Sequence, residues 1–273
     1  MKLEDLINYI SLQKEVVYKV LPYIEKYTEE YQKYIPNLIN HKTAEDTFVE
    51  ISKIYNDEEN LHFLAIYLLA CLKTYEEYSK KNISKYIFID TMKCFTRFIN
   101  EAKEKTGKYY FDRAWWTHRQ VSMKLFRCGE LEYEIDYEEK VISIHIPSDA
   151  KLTYDNIIYS IGMCEDIITL YFNECKDYEY VCSSWLLSHR LKPYLNKDSN
   201  ILKFQSFFNI LGHNPHDKSF LEWLYKTTDN NMDYAVLPEN TSLQRNVKKA
   251  LLEGNGIGSS FGKLKKDYIL IGG

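Results

Sequence analysis

Apolar side chains in the first 128 residues recur at the three- and four-residue spacing of amphipathic α-helices. The first such face runs from Leu3 to Ile10, and longer helices are predicted over Glu59 to Lys80, Ser84 to Lys105 and Arg113 to Arg127. None of these segments alternates in the way that is typical of a strand. Helices so close together in sequence pack as an antiparallel bundle or a layered array, so an all-helical domain is predicted here.

The pattern changes at Gly129. Leu131 to Ile135 alternates cleanly, and the β-branched segment Val141 to Ile146 follows a short polar turn, which predicts a hairpin. Apolar residues at helical spacing then run from Thr153 to Phe172, and Tyr180 to Trp185 has the composition of another strand. A helix that connects two strands of one sheet allows them to run parallel, so a βαβ unit is predicted.

Weaker patterns continue to the end of the chain. The predicted elements are a short helix at Ser188 to Leu195, a strand at Asn200 to Gln205, a short helix at Phe220 to Tyr225, a possible strand at Asp233 to Leu237, a helix at Thr241 to Leu252, and a final apolar segment at Tyr268 to Ile271. The predicted fold class is α+β overall. An all-helical domain, 1–128, precedes an α/β domain with a mixed sheet, 129–273.

Composition narrows the functional classes. The 273 residues are 45% hydrophobic with a net charge of −4, so a folded core is expected, and a basic surface for nucleic acid or anionic membranes is not. The longest apolar run, Phe63 to Leu72, is about half of the roughly 20 residues that span a bilayer, and it is predicted to be a buried helix. Six cysteines without a Cys-x-x-Cys pair and an acidic N-terminus without signal-peptide character predict a cytoplasmic protein with reduced thiols.

Polar side chains gather near the C-terminal ends of the two central strands, where α/β sheets place their ligands. They are His145, Ser148, Asp149, Cys182 and Ser184. His145 is a candidate general base, although a histidine between two isoleucines is more often a hydrogen-bonded structural residue. Cys182 is a candidate acyl-accepting nucleophile or an inert packing residue, and Ser148 and Asp149 also suit the cap of the next helix.

Two stretches nearer the C-terminus are candidate ligand sites. Thr241, Ser242, Gln244 and Arg245 begin a helix with two hydroxyls, an amide and a cation, which suits an anion or simply a capped surface helix. The glycines at 254, 256 and 258 suit a loop that covers a ligand, or only a helix end and a turn. No histidine or cysteine group has the spacing of a zinc site, so no metal is expected.

Several motifs resemble a two-domain bacterial family with an acyltransferase N-terminal domain. Its C-terminal half is similar to the GNAT superfamily of N-acetyltransferases. The matching stretches are Trp115-Trp116, Arg119-Gln120, Phe126-Arg127, Gly129 to Tyr133, His145 to Ala150, Ser184 to Ser188, Ser199 to Ile201, Phe204-Gln205, Leu237-Pro238, Thr241 to Arg245 and the glycine-rich end. The resemblance covers the whole chain, and its motifs are specific to the family rather than to one reaction.

The resemblance implies transfer of an acyl group from acetyl-CoA or another acyl-CoA to an amine or hydroxyl of a small molecule. GNAT proteins hold the donor between two strands that splay apart, here 141–147 and 179–185, and a further strand would lie at 200–208. The implied catalytic residues are His145 and Cys182. The implied donor-binding residues are Ser148, Asp149, Ser184, Trp185, Gln205, Thr241, Ser242, Gln244, Arg245, Gly254, Gly256 and Gly258.

One departure from the family pattern keeps a second hypothesis open. GNAT proteins place a glycine-rich turn after the first central strand, and its backbone N–H groups bind pyrophosphate at a helix N-terminus. Here the turn is Pro147 to Leu152, which has no glycine and carries the anionic Asp149. The alternative to an enzyme is therefore a non-catalytic protein that binds a ligand or a partner on a degenerate GNAT scaffold.

Overall fold

The computed structural model of the chain describes residues 1–268. Most of the predicted C-terminal apolar segment, from Ile269 onward, lies outside the described residues. By its internal contacts the chain divides into two compact units, Met1–Cys128 and Gly129–Gly273. That these units fold as independent domains stays a prediction.

The first unit is helical, as predicted, and ends in one short strand. Its elements are α1 (Leu3–Tyr9), α2 (Lys14–Tyr31), α3 (Ile35–Leu38), α4 (Ala44–Ile54), α5 (Leu61–Lys80), α6 (Lys85–Met92), α7 (Cys94–Thr106), α8 (Ala114–Val121) and β1 (Leu125–Cys128).

Helix α5 forms the centre of this unit. Every side chain from Phe63 to Cys71 is buried, which confirms the prediction of a buried core helix. A helix that is apolar on all faces is stable only when other elements surround it. Two buried hydroxyls of α5 bond to α8, since Tyr67 donates to the Ala114 carbonyl at 3.0 Å and Thr74 donates to the Val121 carbonyl at 2.7 Å.

Two helix predictions in this unit were wrong in extent. The predicted helix at 84–105 is two helices, α6 and α7, with Lys93 between them. The predicted helix at 113–127 ends at Val121, because Met123 adopts a left-handed conformation with φ of 58° that a helix cannot continue through. Leu125–Cys128 is therefore strand β1 rather than the end of a helix.

The second unit is α/β. Its elements are β2 (Leu131–Asp136), β3 (Val141–His145), α9 (Tyr154–Tyr171), β4 (Glu179–Ser184), α10 (Asn200–Ser206), β5 (Phe208–Asn214), α11 (Ser219–Tyr225), α12 (Ser242–Leu252) and β6 (Ser259–Leu264). Short 3-10 helices lie at Asn173–Cys175, Trp185–Leu187, His189–Tyr194 and Tyr234–Val236.

Within the described residues, the strands of the second unit form a mixed sheet in the order β2-β3-β4-β6-β5. Strands β2 and β3 pair antiparallel, and β3 and β4 pair parallel, which confirms the predicted hairpin and βαβ unit. Strand β6 lies antiparallel between β4 and β5. The element order and the mixed sheet are those of the predicted fold class.

Two strand predictions in this unit were wrong, and two strands were missed. Residues 200–206 form α10, whose start is fixed by the Ser199 hydroxyl accepting the Ile201 N–H at 3.2 Å. The predicted strand at 233–237 is a 3-10 turn. The sheet is completed instead by β5 and β6, which the hydrophobic pattern did not predict.

The connection between β5 and β6, residues 215–258, is termed here the β5–β6 insertion. Adjacent antiparallel strands need only about 2–5 connecting residues, so this segment is far longer than the topology requires. It builds its own hydrophobic cluster with the residues that follow β4. The cluster contains Trp185, Leu191, Phe220, Leu221, Tyr225, Leu237, Val247, Ala250, Leu251 and Ile257.

Candidate functional site

Strands β3 and β4 separate towards their C-terminal ends. Their pairing ends at Ser143 and Val181, whereas β3 continues to His145 and β4 to Ser184. The backbone groups on the facing edges beyond the last pair are therefore available to a ligand that lies between the strands. This splay is at the carboxyl end of two parallel strands, where open α/β sheets bind ligands.

The two residues predicted to be catalytic lie on opposite faces of the sheet. Side chains alternate along a strand, and directly paired residues share a face. Because Ser143 pairs with Val181, His145 lies on the same face as Ser183, whereas Cys182 lies on the opposite face with Ile144. The face that carries Ser143, His145 and Ser183 is called the His145 face below. The structure thus does not bring His145 and Cys182 together.

The environment of Cys182 does not suit a nucleophile. Its side chain is only 1% exposed, and burial raises the pKa of the thiol to about 12. Since the thiolate is the reactive form, the group is protonated and inert at neutral pH. The structural alternative, a buried packing residue, is the one that these observations support.

His145 is held by a carboxylate on the neighbouring strand. Its Nε2 lies 3.0 Å from Oε2 of Glu134, and the two side chains are 29% and 12% exposed. In the tautomer that carries its proton on Nε2, this N–H donates to the carboxylate and Nδ1 is the acceptor nitrogen. A base oriented by a third group is the arrangement that general-base catalysis uses.

Glu134 was not among the residues predicted from sequence. It pairs with Ser143, and alternation along β2 places Glu132 and Glu134 on the His145 face. Glu134 could have been identified from sequence. The alternation of Leu131 to Ile135 puts it on one face of its strand, and the predicted hairpin puts that strand beside the strand of His145.

The turn after β3 lies next to the carboxylate of Glu130, the residue that precedes β2. Ser148 and Asp149 are exposed, and the cap of α9 is Thr153, whose hydroxyl accepts the Asn156 N–H, rather than either of them. The backbone N–H of Lys151 donates to Oε2 of Glu130 at 2.8 Å. A protein carboxylate thus occupies one N–H of the turn that GNAT proteins use for pyrophosphate.

Ser184, Trp185 and Gln205 shape the chain as it leaves β4. The Ser184 hydroxyl accepts the Leu186 N–H at 3.1 Å, and Trp185 is buried in the cluster of the β5–β6 insertion. Gln205 is 5% exposed and donates to the carbonyls of Leu186 and Ser188 at 2.8 and 3.0 Å. These contacts give the three predicted ligand-binding residues a structural role at the end of β4.

The polar residues that begin α12 serve the fold of the insertion. Thr241 and Gln244 form a reciprocal capping box, with both hydrogen bonds at 3.1 Å. Gln244 also donates to the Leu224 carbonyl, and Arg245 donates to the carbonyl of Glu239. Ser242 is the exposed first residue of the helix. This stretch is thus a capped helix, the structural alternative to an anion site.

The glycine-rich segment is exposed at Gly254 and packed at Gly258. Gly254 has φ of 79° and ends α12, with the Asn255 N–H donating to the Ala250 carbonyl. The Gly256 carbonyl accepts from Arg190 at 3.1 Å. Gly258 has φ of 66°, and a Cβ there would lie 2.4 Å from the Asn214 carbonyl oxygen. The segment lies against the end of β5, which does not suit a loop that closes over a ligand.

Two structural properties of residues 1–268 bear on the class of protein. No helix in this range is both long and apolar enough to cross a membrane. Within the same range, no three or more histidine, cysteine or acidic side chains are grouped so that they could hold a metal ion.

Comparison with solved structures identifies the fold. An acyltransferase in complex with decanoyl-CoA and teicoplanin superposes with a TM-score of 0.78 at 18% identity, over 96% of this chain and 87% of that chain. An acyltransferase in complex with CoA and 10C-teicoplanin gives a TM-score of 0.79 at 18% identity, over 96% and 87%. At this identity the similarity establishes the fold alone.

Sequence comparison identifies the family. No curated protein matches the chain. The model of the N-acyltransferase N-terminal domain matches residues 1–123, and that of the GNAT-like C-terminal domain matches residues 71–264, the greater part of the chain. The chain therefore belongs to the family of proteins with an N-acyltransferase N-terminal domain and a GNAT-like C-terminal domain.

Proposed function

We propose that the protein transfers an acyl group from an acyl-CoA to an amine or hydroxyl of a small molecule. The observation that supports this most directly is the splay of β3 and β4 beyond Ser143 and Val181, in a chain of the GNAT-like family. A gap between two parallel strands offers backbone N–H and C=O groups to an extended ligand that contains amides. The arm of CoA that carries the thioester is such a ligand.

Solved structures with this fold are consistent with such a donor. Those described above contain decanoyl-CoA or CoA, and a further acyltransferase structure in complex with decanoyl-CoA has a TM-score of 0.78 at 19% identity, over 96% of this chain and 86% of that chain. The splay between β3 and β4 in this chain also suits such a donor. Acyl-CoA is therefore the proposed co-substrate, and a small molecule is the proposed acceptor.

His145 is the proposed general base. With Nε2–H donated to Glu134, Nδ1 accepts the proton of an attacking amine as the new C–N bond forms at the thioester carbonyl. The C–S bond breaks, and the departing CoA thiolate is protonated from solvent. Positioning of the two substrates supplies most of the rate enhancement in such a direct transfer.

The phosphate groups of the donor are expected to bind only weakly. Glu130 holds the Lys151 N–H and places a carboxylate at the turn where a phosphate would otherwise bind. The donor would therefore be held chiefly by its thioester arm and acyl chain. The alternative, a non-catalytic protein on a degenerate scaffold, is not favoured, because the His145–Glu134 pair supplies a general base beside the splay.

Two further expectations belong with this proposal. We place the acyl-transfer chemistry in an α/β domain formed by residues 129–273, which follows a helical domain formed by residues 1–128 in the sequence. A cytoplasmic location is proposed because the six cysteines are buried thiols rather than disulfides, as expected in a reducing compartment.

A thermal-shift titration with decanoyl-CoA, acetyl-CoA and free CoA tests the proposal. A ligand at about 100 times its Kd stabilises the folded state by about 2.7 kcal/mol. For a chain of this size, that corresponds to a rise in melting temperature of about 5 °C or more. A saturable rise with an acyl-CoA is expected. A cooperative melt that no CoA species shifts would contradict the proposed function.

A further inference from the structure

Phe261 is an aromatic side chain left exposed on an inner strand of the sheet. Strand β6 lies between β4 and β5, yet the Phe261 side chain is 41% exposed. Its pairing with Ser183 on β4 places it on the His145 face, since paired residues share a face. An aromatic ring in this position can stack against a flat or apolar group.

A β-bulge places a glycine opposite Phe261. The register between β5 and β6 shifts between Ile210 and Gly212, so that Gly212 pairs with Phe261. Without the bulge, Leu211 would be the residue opposite Phe261 and its side chain would lie beside the ring. Bulges frequently re-aim side chains beside active sites. Here the bulge sets two residues, Leu211 and Gly212, opposite the exposed ring, and the one that pairs with Phe261 is a glycine.

Gly212 leaves open space where its own side chain would lie. A Cβ built on Gly212 meets no atom within 4 Å, so even a small side chain there would project into open space. Ser183, on the other side of Phe261, is exposed and small. The ring therefore stands between two small residues, and a flat group can approach it along the sheet.

Phe261 lies in the same row of side chains across the sheet as the proposed general base, His145. His145 and Ser183 occupy equivalent positions on β3 and β4, and Phe261 is the next residue in the same row. Neighbouring strands are about 4.8 Å apart, so the ring lies roughly 10 Å or more from His145 across the splay. An acceptor whose nitrogen is at His145 must approach on this face, because His145 is on it.

We propose that Phe261, flanked by Ser183 and Gly212, is an acceptor subsite for the aryl or flat apolar group of a primary amine. The amine nitrogen would lie at His145, and the aryl group about two strand spacings away. This inference rests on the proposed acyl-transfer function and specifies the chemical class of its acceptor. A donor acyl chain is not assigned to this surface, because the donor lies in the splay itself.

The test uses 6-phenylhexylamine, whose amine and ring span a similar length, and n-hexylamine as the probe without a ring. Binding is measured by saturation-transfer NMR on the full chain in the presence of CoA. The blocking variant is Gly212→Val, which fills open space at a backbone conformation that any residue can adopt. Phe261→Ala removes the ring. Ile210→Ala is the matched control, because Ile210 is also 41% exposed but pairs with Gly262 on the opposite face.

The wild-type protein is expected to bind 6-phenylhexylamine more tightly than n-hexylamine. The Kd for the aryl amine should rise about tenfold in Gly212→Val and in Phe261→Ala, and stay unchanged in Ile210→Ala. Equal binding by all variants, or no preference for the aryl amine, would overturn the proposal.

A second arm compares acetyl-CoA with decanoyl-CoA in the same variants. A selective loss of decanoyl-CoA binding in Gly212→Val would assign the surface to the acyl chain and overturn the acceptor subsite. A wild-type protein that binds no CoA species at all would instead contradict the proposed function. The two failures are therefore distinguishable.

Discussion

His145 and Cys182 illustrate how the surroundings of a single residue decide its chemistry. Both lie near the carboxyl ends of neighbouring strands, and both have side chains that enzymes use in acyl transfer. One is part-exposed and oriented by Glu134, whereas the other is buried with a thiol that is protonated at neutral pH. Only the first has the properties of a catalytic group.

Replacement of His145 should therefore lower activity, whereas replacement of Cys182 should leave activity almost unchanged. We expect His145→Gln to lower the rate of CoA release from decanoyl-CoA by about 100-fold or more in the presence of an amine acceptor. Cys182→Ala should leave that rate within about twofold and cost stability instead, since it removes a buried sulfur. Thiol release and urea unfolding of both variants measure the two effects. Loss of activity in a well-folded Cys182→Ala protein would contradict the assignment.

Gly258 allows a similar comparison for stability. A methyl group there would collide with the Asn214 carbonyl oxygen and would also require a left-handed backbone. Gly254 has a similar φ but open space around it. Gly258→Ala is expected to lower the free energy of unfolding by about 3 kcal/mol or more, and Gly254→Ala by about 1 kcal/mol. Urea titration measures both, and equal losses would show that the contact with Asn214 is unimportant.

At the scale of elements, the splay and the turn after β3 have different electrostatic characters. In the splay the facing edges of β3 and β4 have no strand pairing with each other beyond Ser143 and Val181, while the turn places the carboxylate of Glu130 on the Lys151 N–H. The N-terminus of α9 follows this turn, and helix N-termini attract anions. Glu130 therefore competes with any phosphate of a bound donor.

Removal of this charge should strengthen donor binding. We expect Glu130→Gln to lower the Kd for decanoyl-CoA by about two- to fivefold at low ionic strength, the range of one charge near a helix terminus. Isothermal titration calorimetry measures the change, and salt should diminish it. Glu138→Gln, which alters an exposed acid in the turn between β2 and β3, is the matched control. Weaker binding in Glu130→Gln would mean that the carboxylate supports the turn rather than repels the donor.

Helices and strands were predictable from the sequence where a single hydrophobic pattern extended over the whole segment. The hairpin of β2 and β3, the parallel strand β4 and helix α9 all followed from alternation or helical spacing over a continuous segment. The segment 200–205 is so short that its apolar residues fit both helical and strand periodicity. The structure has a helix there, and the Ser199 side chain caps its start. Strand β5 was missed because its residues 209–212 are exposed, and β6 because its glycine and serines gain strand structure only from neighbours on both sides.

The candidate site was less predictable than the fold. Sequence placed His145 at the end of the correct strand, but its partner Glu134 depends on cross-strand register. The roles of Thr241, Gln244 and Gly258 depend on contacts with residues far away in the chain or on local capping, and sequence left those alternatives open. The structural contacts of these residues therefore depend on tertiary structure that a hydrophobic pattern does not contain.

At the scale of the whole molecule, protonation should weaken the fold in mildly acidic solution. Burial lowers the pKa of His62 in the first unit and of His213 in the second below the ordinary value of 6.5. Asp57 and Glu30 oppose the effect at His62, while His189 and Arg190 reinforce it at His213. Below pH 6.5 the unfolded chain therefore binds more protons than the folded one, and stability rises with pH.

The urea midpoint is expected to fall as pH decreases from about 7.5 to 5.5. Replacing both histidines, His62→Gln with His213→Gln, should flatten this dependence, whereas His216→Gln, at an exposed position, should not. A double variant with the same slope as the wild type would show that other groups control the pH dependence.

If an acyl-CoA binds in the splay between β3 and β4, as proposed, hydrogen–deuterium exchange with decanoyl-CoA should detect it there. Backbone amides at the unpaired edges should exchange quickly in the free protein and slowly in the complex. We expect protection in peptides that cover Ile144 to Leu152 and Cys182 to Ser188. Saturable binding without protection of either segment, or protection confined to other parts of the chain, would contradict the claim.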